Sequence, residues 1–322
     1  MSLAPRCVAV IPTLKAGEPL AEALDAIGEN WREACVVVDN GAPAQAIAGV
    51  AARFPEVRVL SLGRNHGFAG AVNRGLAHGI SDRTEMAVVL NDDVVVSAQA
   101  LDALVQALVD DRVAGSAAGV LLEWDSPRVD TAGIRCDAGL ASRDVGKGLA
   151  LTDLDACAPP LGPSGGLAAY RLSALTHVGG FDERFFAYYE DLDLGLRLQA
   201  AGWTCSLVTN AIGRHAGSAT LGWRSLENAV IVGRSRGRIA RKYGAHRQLR
   251  AWPSLIMELA AGAVLSVELR SGAPLRARAA GFLAASAEHP YPAELVERGG
   301  ARTAVVSRLA RRYGRSAAAT EV

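Results

Sequence analysis

The sequence predicts an α/β fold with a mixed, largely parallel sheet that is covered by helices on both faces. Short, continuously apolar segments alternate with helix-like segments through the first hundred residues, which is typical of buried parallel strands. Polar residues follow each apolar segment, at the edge where α/β sheets bind ligands. Further along, a glycine turn, an aromatic run and several carboxylates lead into one more predicted helix. These features indicate a ligand crevice at one edge of the sheet.

The predicted elements cover most of the chain. In the first half, the strands lie at 7–12, 34–39, 57–62 and 86–90, and the helices at 20–30, 44–53, 69–78 and 97–110. In the second half, strands are predicted at 117–122 and 204–209, a turn and strand at 161–171, and helices at 172–177 and between 190 and 202. Residues 129–150 are rich in glycine and form a hairpin or loop region, and helices at 228–243 and 252–269 follow.

The polar residues after the first four strands predict a nucleotide-binding crevice. A single acidic strand end would be an ordinary helix cap, but four polar ends in one half of a domain favour a ligand site. After the fourth strand, oxygen ligands suit a hard divalent cation that neutralises a diphosphate, although a plain turn is the alternative. The polar strand ends that form the predicted crevice are, in chain order, Pro12 and Thr13, Asp39, Asn65 and Gly67, and Asn91, Asp92 and Asp93.

Residues 65–75, with the sequence NHGFAGAVNRG, open the third predicted helix. Glycines allow the backbone to approach a ligand closely, and a helix N-terminus offers amides to an anion. The segment is therefore predicted to bind the nucleotide through Asn65, Gly67, Phe68, Ala71 and Asn73. Tight packing of the helix on the sheet is a second role for Gly70 and Gly75.

Residues 179–203 carry the candidate catalytic acids. Gly179 and Gly180 mark a turn, and Glu190 and Asp191 open a helix that Gly202 ends. A carboxylate at a helix N-terminus stays ionised, and an ionised carboxylate on a rigid element can act as a general base. The alternative is that these acids only stabilise the helix, but the aromatic run before them supplies an apolar wall and favours catalysis.

Charge and cysteine content narrow the class of protein. Residues 1–223 carry 17 Lys and Arg against 26 Asp and Glu, whereas residues 224–322 carry 17 against 7. Five cysteines without paired spacing indicate reduced thiols and a cytoplasmic location. No signal peptide is recognised, and Glu258 and Glu268 interrupt the apolar stretch 252–269, so no transmembrane helix is predicted. Motifs for serine hydrolases, P-loop enzymes, zinc sites and nucleic-acid binding are absent from the sequence.

The basic C-terminal part is predicted to contact an anionic membrane surface peripherally through residues 224–270. Arg234, Arg238 and Arg241 share one face of a helix, and the stretch 252–269 adds apolar area. Packing against a second copy in a homodimer is the alternative for this region.

The segment GGFDERFFAYYED at 179–191 closely resembles the signature of glycosyltransferase family 2 enzymes of the GT-A fold, within the rhamnosyltransferase-like group. The resemblance extends over residues 7–243 and includes VDN at 38–40, NHGFAGAVNRG at 65–75 and NDD at 91–93. It implies a GT-A mixed sheet at 1–223, with a nucleotide-binding half to about 115 and an acceptor half after it, followed by a helical extension at 224–322.

The resemblance also implies roles for individual residues. Asp191 is the expected base, with Glu190 as the alternative, and Asp39 contacts the nucleobase side of the donor although Ala42 and Pro43 make its loop atypical. A divalent metal, Mn or Mg, is expected on Asp93 with help from Asn91 and His215, and Ser164, Gly165 and Gly166 face the donor sugar. The implied reaction is an inverting transfer from dTDP-rhamnose or a UDP-sugar to a cell-surface glycan, often lipid-linked.

Two other classes of protein remain open at this point. A sugar nucleotidyltransferase has a related fold, but its glycine-rich basic loop after the first strand is missing here. A non-catalytic sensor of nucleotide sugars would have no need to keep Glu190, Asp191 and Asp93.

Overall fold

The computed structural model describes residues 6–215 and 225–297. Its strands are β1 (Cys7–Thr13), β2 (Cys35–Asp39), β3 (Arg58–Ser61), β4 (Met86–Leu90), β5 (Val94–Val96), β6 (Ala114–Glu123), β7 (Val129–Thr131), β8 (Ile134–Cys136), β9 (Ser142–Asp144), β10 (Leu167–Arg171) and β11 (Thr204–His215). Its helices are α1 (Glu18–Glu33), α2 (Ala44–Arg53), α3 (Gly67–Gly79), α4 (Ala98–Asp110), α5 (Leu172–Val178), α6 (Glu190–Ala200), α7 (Leu226–Lys242), α8 (Trp252–Glu268) and α9 (Ala273–Leu283).

The main sheet confirms the predicted mixed α/β fold. Its order is β3-β2-β1-β4-β10-β6-β11-β5, with β7 paired to β6, and β8 and β9 form a separate two-stranded sheet. The first four strands are parallel, β10 runs antiparallel between β4 and β6, and β11 is parallel to β6. The carboxyl ends of β1, β2 and β4 therefore meet the start of β10 at one edge of the sheet.

Helices cover both faces of this sheet. Buried leucines and isoleucines of α1 and α4 pack with Trp31 on one face, and α3, α5 and α6 pack on the other. Helix α3 lies very close to the strands because it has glycine at its contact points. A Cβ on Gly75 would stand 2.5 Å from Val10 Cγ1, so the packing role predicted for Gly75 holds.

Three elements differ from the prediction. The short strand β5 was not predicted, β11 continues to His215 instead of ending at 209, and α9 was missed. The register of β11 against β6 shifts between Leu207 and Ile212. The alternation of inward and outward side chains, by which a strand is recognised in a sequence, is therefore interrupted in the middle of β11. The end of β11 then pairs with β5, which at three residues is too short to give a periodic signal.

The chain divides into two compact units, one formed by 1–135 with 144–232 and the other by 136–143 with the residues from 233 onward. The domain boundary predicted after 223 falls among residues 216–224, outside the described part of the chain, and so stays a proposal. The extension is helical where it is described, through α7, α8 and α9.

The basic helix face predicted for 234–241 is wrong. Arg234 is exposed, but Arg238 and Arg241 are half-buried, and the Arg241 guanidinium lies 5.2 Å from the centre of the Phe282 ring. Arg236 and Lys242 of the same helix are buried as well. Most of these cations therefore pack inside the protein and do not form an exposed basic face. Within the described ranges, the stretch Leu249–Glu268 is long and apolar enough to cross a membrane, judged on length and composition alone.

Candidate active site

The two acids at the start of α6 follow a strained backbone. Phe186, Tyr188 and Tyr189 have φ of 46°, 62° and 73°, a region that costs a residue with a Cβ about 1–3 kcal/mol. Contacts with α3 hold this backbone in place. Ala69 N donates to Phe186 O at 3.4 Å, and a Cβ on Gly67 would stand only 2.2 Å from Phe186 O.

The two acids have different environments and therefore different protonation states. Glu190 is buried, and its Oε2 has no hydrogen-bond partner in the described part of the chain. Burial, and then the charge of Asp191, raise the pKa of Glu190 well above its usual range. Burial also raises the pKa of Asp191, to about 6, although amide N–H groups of Leu192 and Gly165 oppose the rise. With a pKa of about 6, Asp191 is mostly ionised at pH 7, whereas burial works against ionisation of Glu190.

The 164–166 turn (Ser164, Gly165 and Gly166) joins this helix to the end of β4. The Gly165 amide hydrogen-bonds to the Asp191 carboxylate, and Gly166 O accepts from Asn91 N at 3.2 Å. Ser164 Oγ accepts from Gly166 N at 3.4 Å. This turn therefore links Asp191, the candidate base, to the Asn91-Asp92-Asp93 segment that follows β4.

The acids after β4 have separate partners. Thr13 Oγ1, at the end of β1, donates to Asp92 Oδ2 at 2.6 Å. Burial raises the pKa of Asp92, although this hydrogen bond opposes the rise. Asp93 is buried, and its Oδ1 lies 3.3 Å from His215 Nε2. Pro12 lies in β1 opposite Val38, where it is part of the sheet that supports Thr13.

His215 ends β11 and bridges two carboxylates. Its Nδ1 lies 2.8 Å from Asp130 Oδ2, in β7, while Nε2 faces Asp93. Burial alone would lower the pKa of His215, but hydrogen bonds to Asp130 and Asp93 raise it to about 9. Burial alone would raise the pKa of Asp130, but bonds to His215 and Lys147 bring it to about 2.

The predicted metal ligands are brought together only in part. Asp93 and His215 are in contact. The Asn91 side-chain amide lies instead beside the 164–166 turn, where a Cβ added to Gly166 would stand 3.7 Å from Asn91 Nδ2. No group of three or more His, Cys, Asp or Glu arranged to hold a metal is found within 6–215 and 225–297. The donors nevertheless fit the expected ion, because oxygen ligands from Asp93 and Asn91 with one imidazole suit Mn or Mg.

The end of β2 is tied to the start of α3 by asparagines. Asp39 Oδ1 accepts from the amides of Gly41 and Ala42 at 3.0 and 2.8 Å. Asn40 Nδ2 donates to Asn65 Oδ1 and to Gly67 O, both at 3.1 Å. Asn65 therefore helps to shape the loop between β3 and α3, and Asn40 fixes that loop.

Three residues predicted to bind the nucleotide lie in packed surroundings. Asn73 Nδ2 donates to Phe181 O at 2.9 Å, and its Oδ1 accepts from Phe181 N at 3.1 Å. Ala71 is fully buried against the sheet. The Phe68 ring packs edge-on against Phe181 and would lie 3.1 Å from a Cβ on Gly165. These contacts join α3 to the turn before α6.

Sequence reasoning missed four polar residues of this region. Asn40 lies within the quoted VDN segment, which was a usable signal. The other three are Asp130, Asp144 and Lys147, from the glycine-rich region 129–150, where no periodicity or motif distinguishes them. The charge of Asp144 contributes to the raised pKa of Asp191, so this region reaches the candidate base.

Comparison with known proteins supplies the family context. The family described as "Glycosyltransferase like family 2" matches residues 5–230. Two curated proteins of Mycobacterium tuberculosis (strains CDC 1551 / Oshkosh and ATCC 25618 / H37Rv), both named N-acetylglucosaminyl-diphospho-decaprenol L-rhamnosyltransferase, are 31% identical over 196 residues. These matches cover 55% of this chain and 64% of each relative, slightly less than two thirds of the relative's length.

Two solved structures share the fold. Mannosyltransferase PcManGT from Pyrobaculum calidifontis, in complex with GDP-Man and Mn2+, has a TM-score of 0.53 and 18% identity, covering 95% of this chain and 79% of its own. GalNAc-T7 with UDP, GalNAc and Mn2+ has a TM-score of 0.55 and 12% identity, covering 71% and 47%. Both are GT-A glycosyltransferases.

Proposed function

Because this chain belongs to glycosyltransferase family 2, we propose that it is an inverting, metal-assisted enzyme that transfers a sugar from a nucleotide donor to a lipid-linked glycan. Family membership argues against a sugar nucleotidyltransferase. The retained Glu190, Asp191 and Asp93 argue against a non-catalytic sensor. The donor we propose is dTDP-rhamnose or a UDP-sugar, and the acceptor is a glycan on a lipid diphosphate. The curated relatives are named for rhamnosyl transfer to such an acceptor, which supports this choice.

Asp191 is the proposed general base. Its carboxylate takes the proton of the acceptor hydroxyl while that oxygen bonds to the anomeric carbon of the donor, and the bond from that carbon to the diphosphate oxygen breaks. A single in-line displacement inverts the configuration. The observation that carries this proposal is the Gly165 amide on the Asp191 carboxylate, within a turn that also bonds Asn91. Burial and the charge of Asp191 raise the pKa of Glu190 well above its usual range, which makes Glu190 the weaker candidate.

Asp93, Asn91 and His215 are the residues that would hold the divalent ion. When bound, such an ion neutralises the charge that develops on the departing nucleoside diphosphate. Thr13 keeps Asp92 hydrogen-bonded, so Asp92 supports the strand end while Asp93 faces His215. Asp39, Asn65, Gly67 and the 164–166 turn are proposed to line the donor site, whereas Phe68, Ala71 and Asn73 support it from behind.

The decisive experiment is a panel of nucleotide sugars incubated with the protein, an N-acetylglucosaminyl lipid diphosphate and either Mn or Mg. Release of the nucleoside diphosphate together with a glycosylated lipid product is the expected result. Chelation by EDTA should abolish it. The absence of a glycosylated product with every donor would contradict the proposed reaction, and full activity in EDTA would contradict the proposed metal.

The enzyme is proposed to work in the cytoplasm, in peripheral contact with the membrane through part of 224–270. The support lies in α8, where every exposed residue before Glu268 is apolar. Its polar residues turn inward instead: Ser254 Oγ donates to Asp137 at 3.0 Å, and Glu258 lies 3.3 Å from Arg236. Exposed Arg250 and Arg270 flank the apolar face, as expected for a helix that lies in a membrane interface.

A further inference from the structure

Asp130, whose carboxylate contacts Nδ1 of His215, lies outside the family motifs quoted above. Asp130 lies in β7, which pairs with β6, and β6 in turn pairs with the end of β11 that carries His215. Its Oδ2 lies 2.8 Å from His215 Nδ1. We propose that Asp130 is the positioning residue of the metal centre, because it fixes the ring orientation and the tautomer of His215. This inference rests on the metal role proposed above.

The two ring nitrogens of His215 face different partners. Nδ1 points at the Asp130 carboxylate, and Nε2 points toward Asp93 Oδ1 at 3.3 Å. An ionised carboxylate only accepts hydrogen bonds, so it selects the tautomer with the proton on Nδ1. Asp93 competes for the ring proton from the other side at 3.3 Å, but the shorter contact with Asp130 at 2.8 Å favours the proton on Nδ1 and leaves Nε2 able to face an ion held by Asp93. A carboxylate on the second nitrogen is the usual support of a metal-ligating histidine.

Asp130 is itself held in place from the opposite side. Lys147 Nζ forms an ion pair with Asp130 Oδ1 and lies 3.4 Å from the carbonyl oxygen of the same residue. Each carboxylate oxygen of Asp130 therefore has its own partner, and the ring of His215 receives a fixed acceptor. Lys147 also balances the charge of Asp130, so the pair adds little net charge beside the proposed metal site at Asp93 and His215.

A purely structural ion pair is the competing explanation. In that case Asp130 would neutralise Lys147 and His215 and stabilise β7, and its loss would lower the stability of the protein without changing its affinity for Mn. The two explanations thus differ in a measurement that does not involve activity.

Binding of Mn²⁺ alone to the full chain, followed by electron paramagnetic resonance, tests the proposal. Asp130→Ala should weaken Mn²⁺ binding by about 10–100-fold. Asp130→Asn should restore part of the loss, because its amide oxygen still accepts from Nδ1. Asp155→Asn is the matched control, since Asp155 is an exposed acid in the same half of the chain and should bind Mn²⁺ as the wild type does.

A second readout needs no metal. Nitrogen-15 spectra of His215, recorded at about pH 10, above its pKa of about 9, should show the proton mainly on Nδ1 in the wild type and mainly on Nε2, facing Asp93, in Asp130→Ala. Circular dichroism and thermal unfolding verify that the variants fold. A folded Asp130→Ala with unchanged tautomer would overturn the proposal, as would unchanged Mn²⁺ affinity. If the wild type binds no Mn²⁺, the proposed metal role fails, and the spectra still decide whether Asp130 orients His215.

Discussion

At the scale of single residues, Asp191 is the side chain on which the proposed chemistry depends. Asp191→Asn keeps the shape and removes proton acceptance, so transfer should fall by a factor on the order of 10² or more. Binding of the donor should survive, because the substitution leaves Asp93, Asn91 and His215 intact. Single-turnover kinetics and calorimetry with UDP or dTDP measure the two effects. Asp153→Asn, at an exposed site, controls for the loss of a charge, and wild-type turnover in Asp191→Asn would remove Asp191 from the mechanism.

The pKa of Asp191 also predicts how the rate depends on pH. Burial raises that pKa to about 6, and a base works only when it has lost its proton. Because this pKa belongs to the enzyme without substrates, kcat/KM should rise from pH 5 to pH 7 and become nearly constant above. Stability should change in the opposite direction, because a carboxyl whose pKa is raised by folding destabilises the folded state as pH rises through about 6. A rate that stays flat across this range would contradict the assignment of Asp191.

Sequence reasoning could identify the residues that lie in motifs, because strand ends and helix starts are local features. Asp93 and His215 are far apart in the chain, yet the structure brings them to 3.3 Å. Asp130 and Lys147 could not be identified, since only the folding of residues 129–150 brings them to each other and to His215. Asn73 shows the converse limit, because its position in a motif did not reveal that its amide bonds to Phe181.

At the scale of elements, the contact between α3 and the segment before α6 is a close approach of two backbones. Gly67→Ala should destabilise the protein and reduce activity, since φ is +75° and the new Cβ would stand 2.2 Å from Phe186 O. The free energy of unfolding should fall by about 2 kcal/mol or more. Urea denaturation measures the change.

Gly63→Ala is the control that separates backbone strain from the clash. Gly63 has φ of +72°, nearly the same as Gly67, but nothing lies within 4 Å of its added Cβ. It should cost about 1 kcal/mol from strain alone and leave activity unchanged. Equal effects of the two substitutions would show that the approach of Phe186 to Gly67 is unimportant.

Most elements could be predicted because each has a local pattern of apolar residues. Strand β5 could not be predicted, because its three residues are too few to show a periodic pattern. The second half of β11 could not be predicted, because a bulge between Leu207 and Ile212 interrupts the strand. These two missed strands pair with each other and bring His215 beside Asp93. The resemblance to the family named both residues, but the pattern of strands did not predict their contact.

At the scale of the whole molecule, the outward face of α8 should determine membrane binding. Replacing Ile256 and Leu259, which are 56% and 53% exposed, by Asn should weaken cosedimentation with anionic liposomes several-fold, because less apolar area enters the interface. Folding should be unaffected at such exposed positions. Ile80→Asn, at an exposed apolar position outside this face, is the control.

The competing outcome is self-association. If the wild type does not bind liposomes at low salt and elutes as a dimer that Ile256→Asn dissociates, α8 covers a second copy of the chain. The charge composition predicted an anionic partner for the C-terminal part, and this stays a prediction. It could not predict which side chains face outward, because burial of Arg236 beside Glu258 reverses the usual arrangement of polar and apolar residues.

The 164–166 turn has a consequence for how this protein tolerates genetic variation. Its two bonds, from the Gly165 amide to Asp191 and from Asn91 N to Gly166 O, both use main-chain atoms of the turn. Substitution of Ser164 therefore leaves both bonds available and removes only the bond from Gly166 N to Ser164 Oγ within the turn. Insertion or deletion of one residue would displace both contacts together, so selection must preserve the length of this turn as well as its two glycines, whose added Cβ atoms would stand 3.1 Å from Phe68 and 2.8 Å from Leu121.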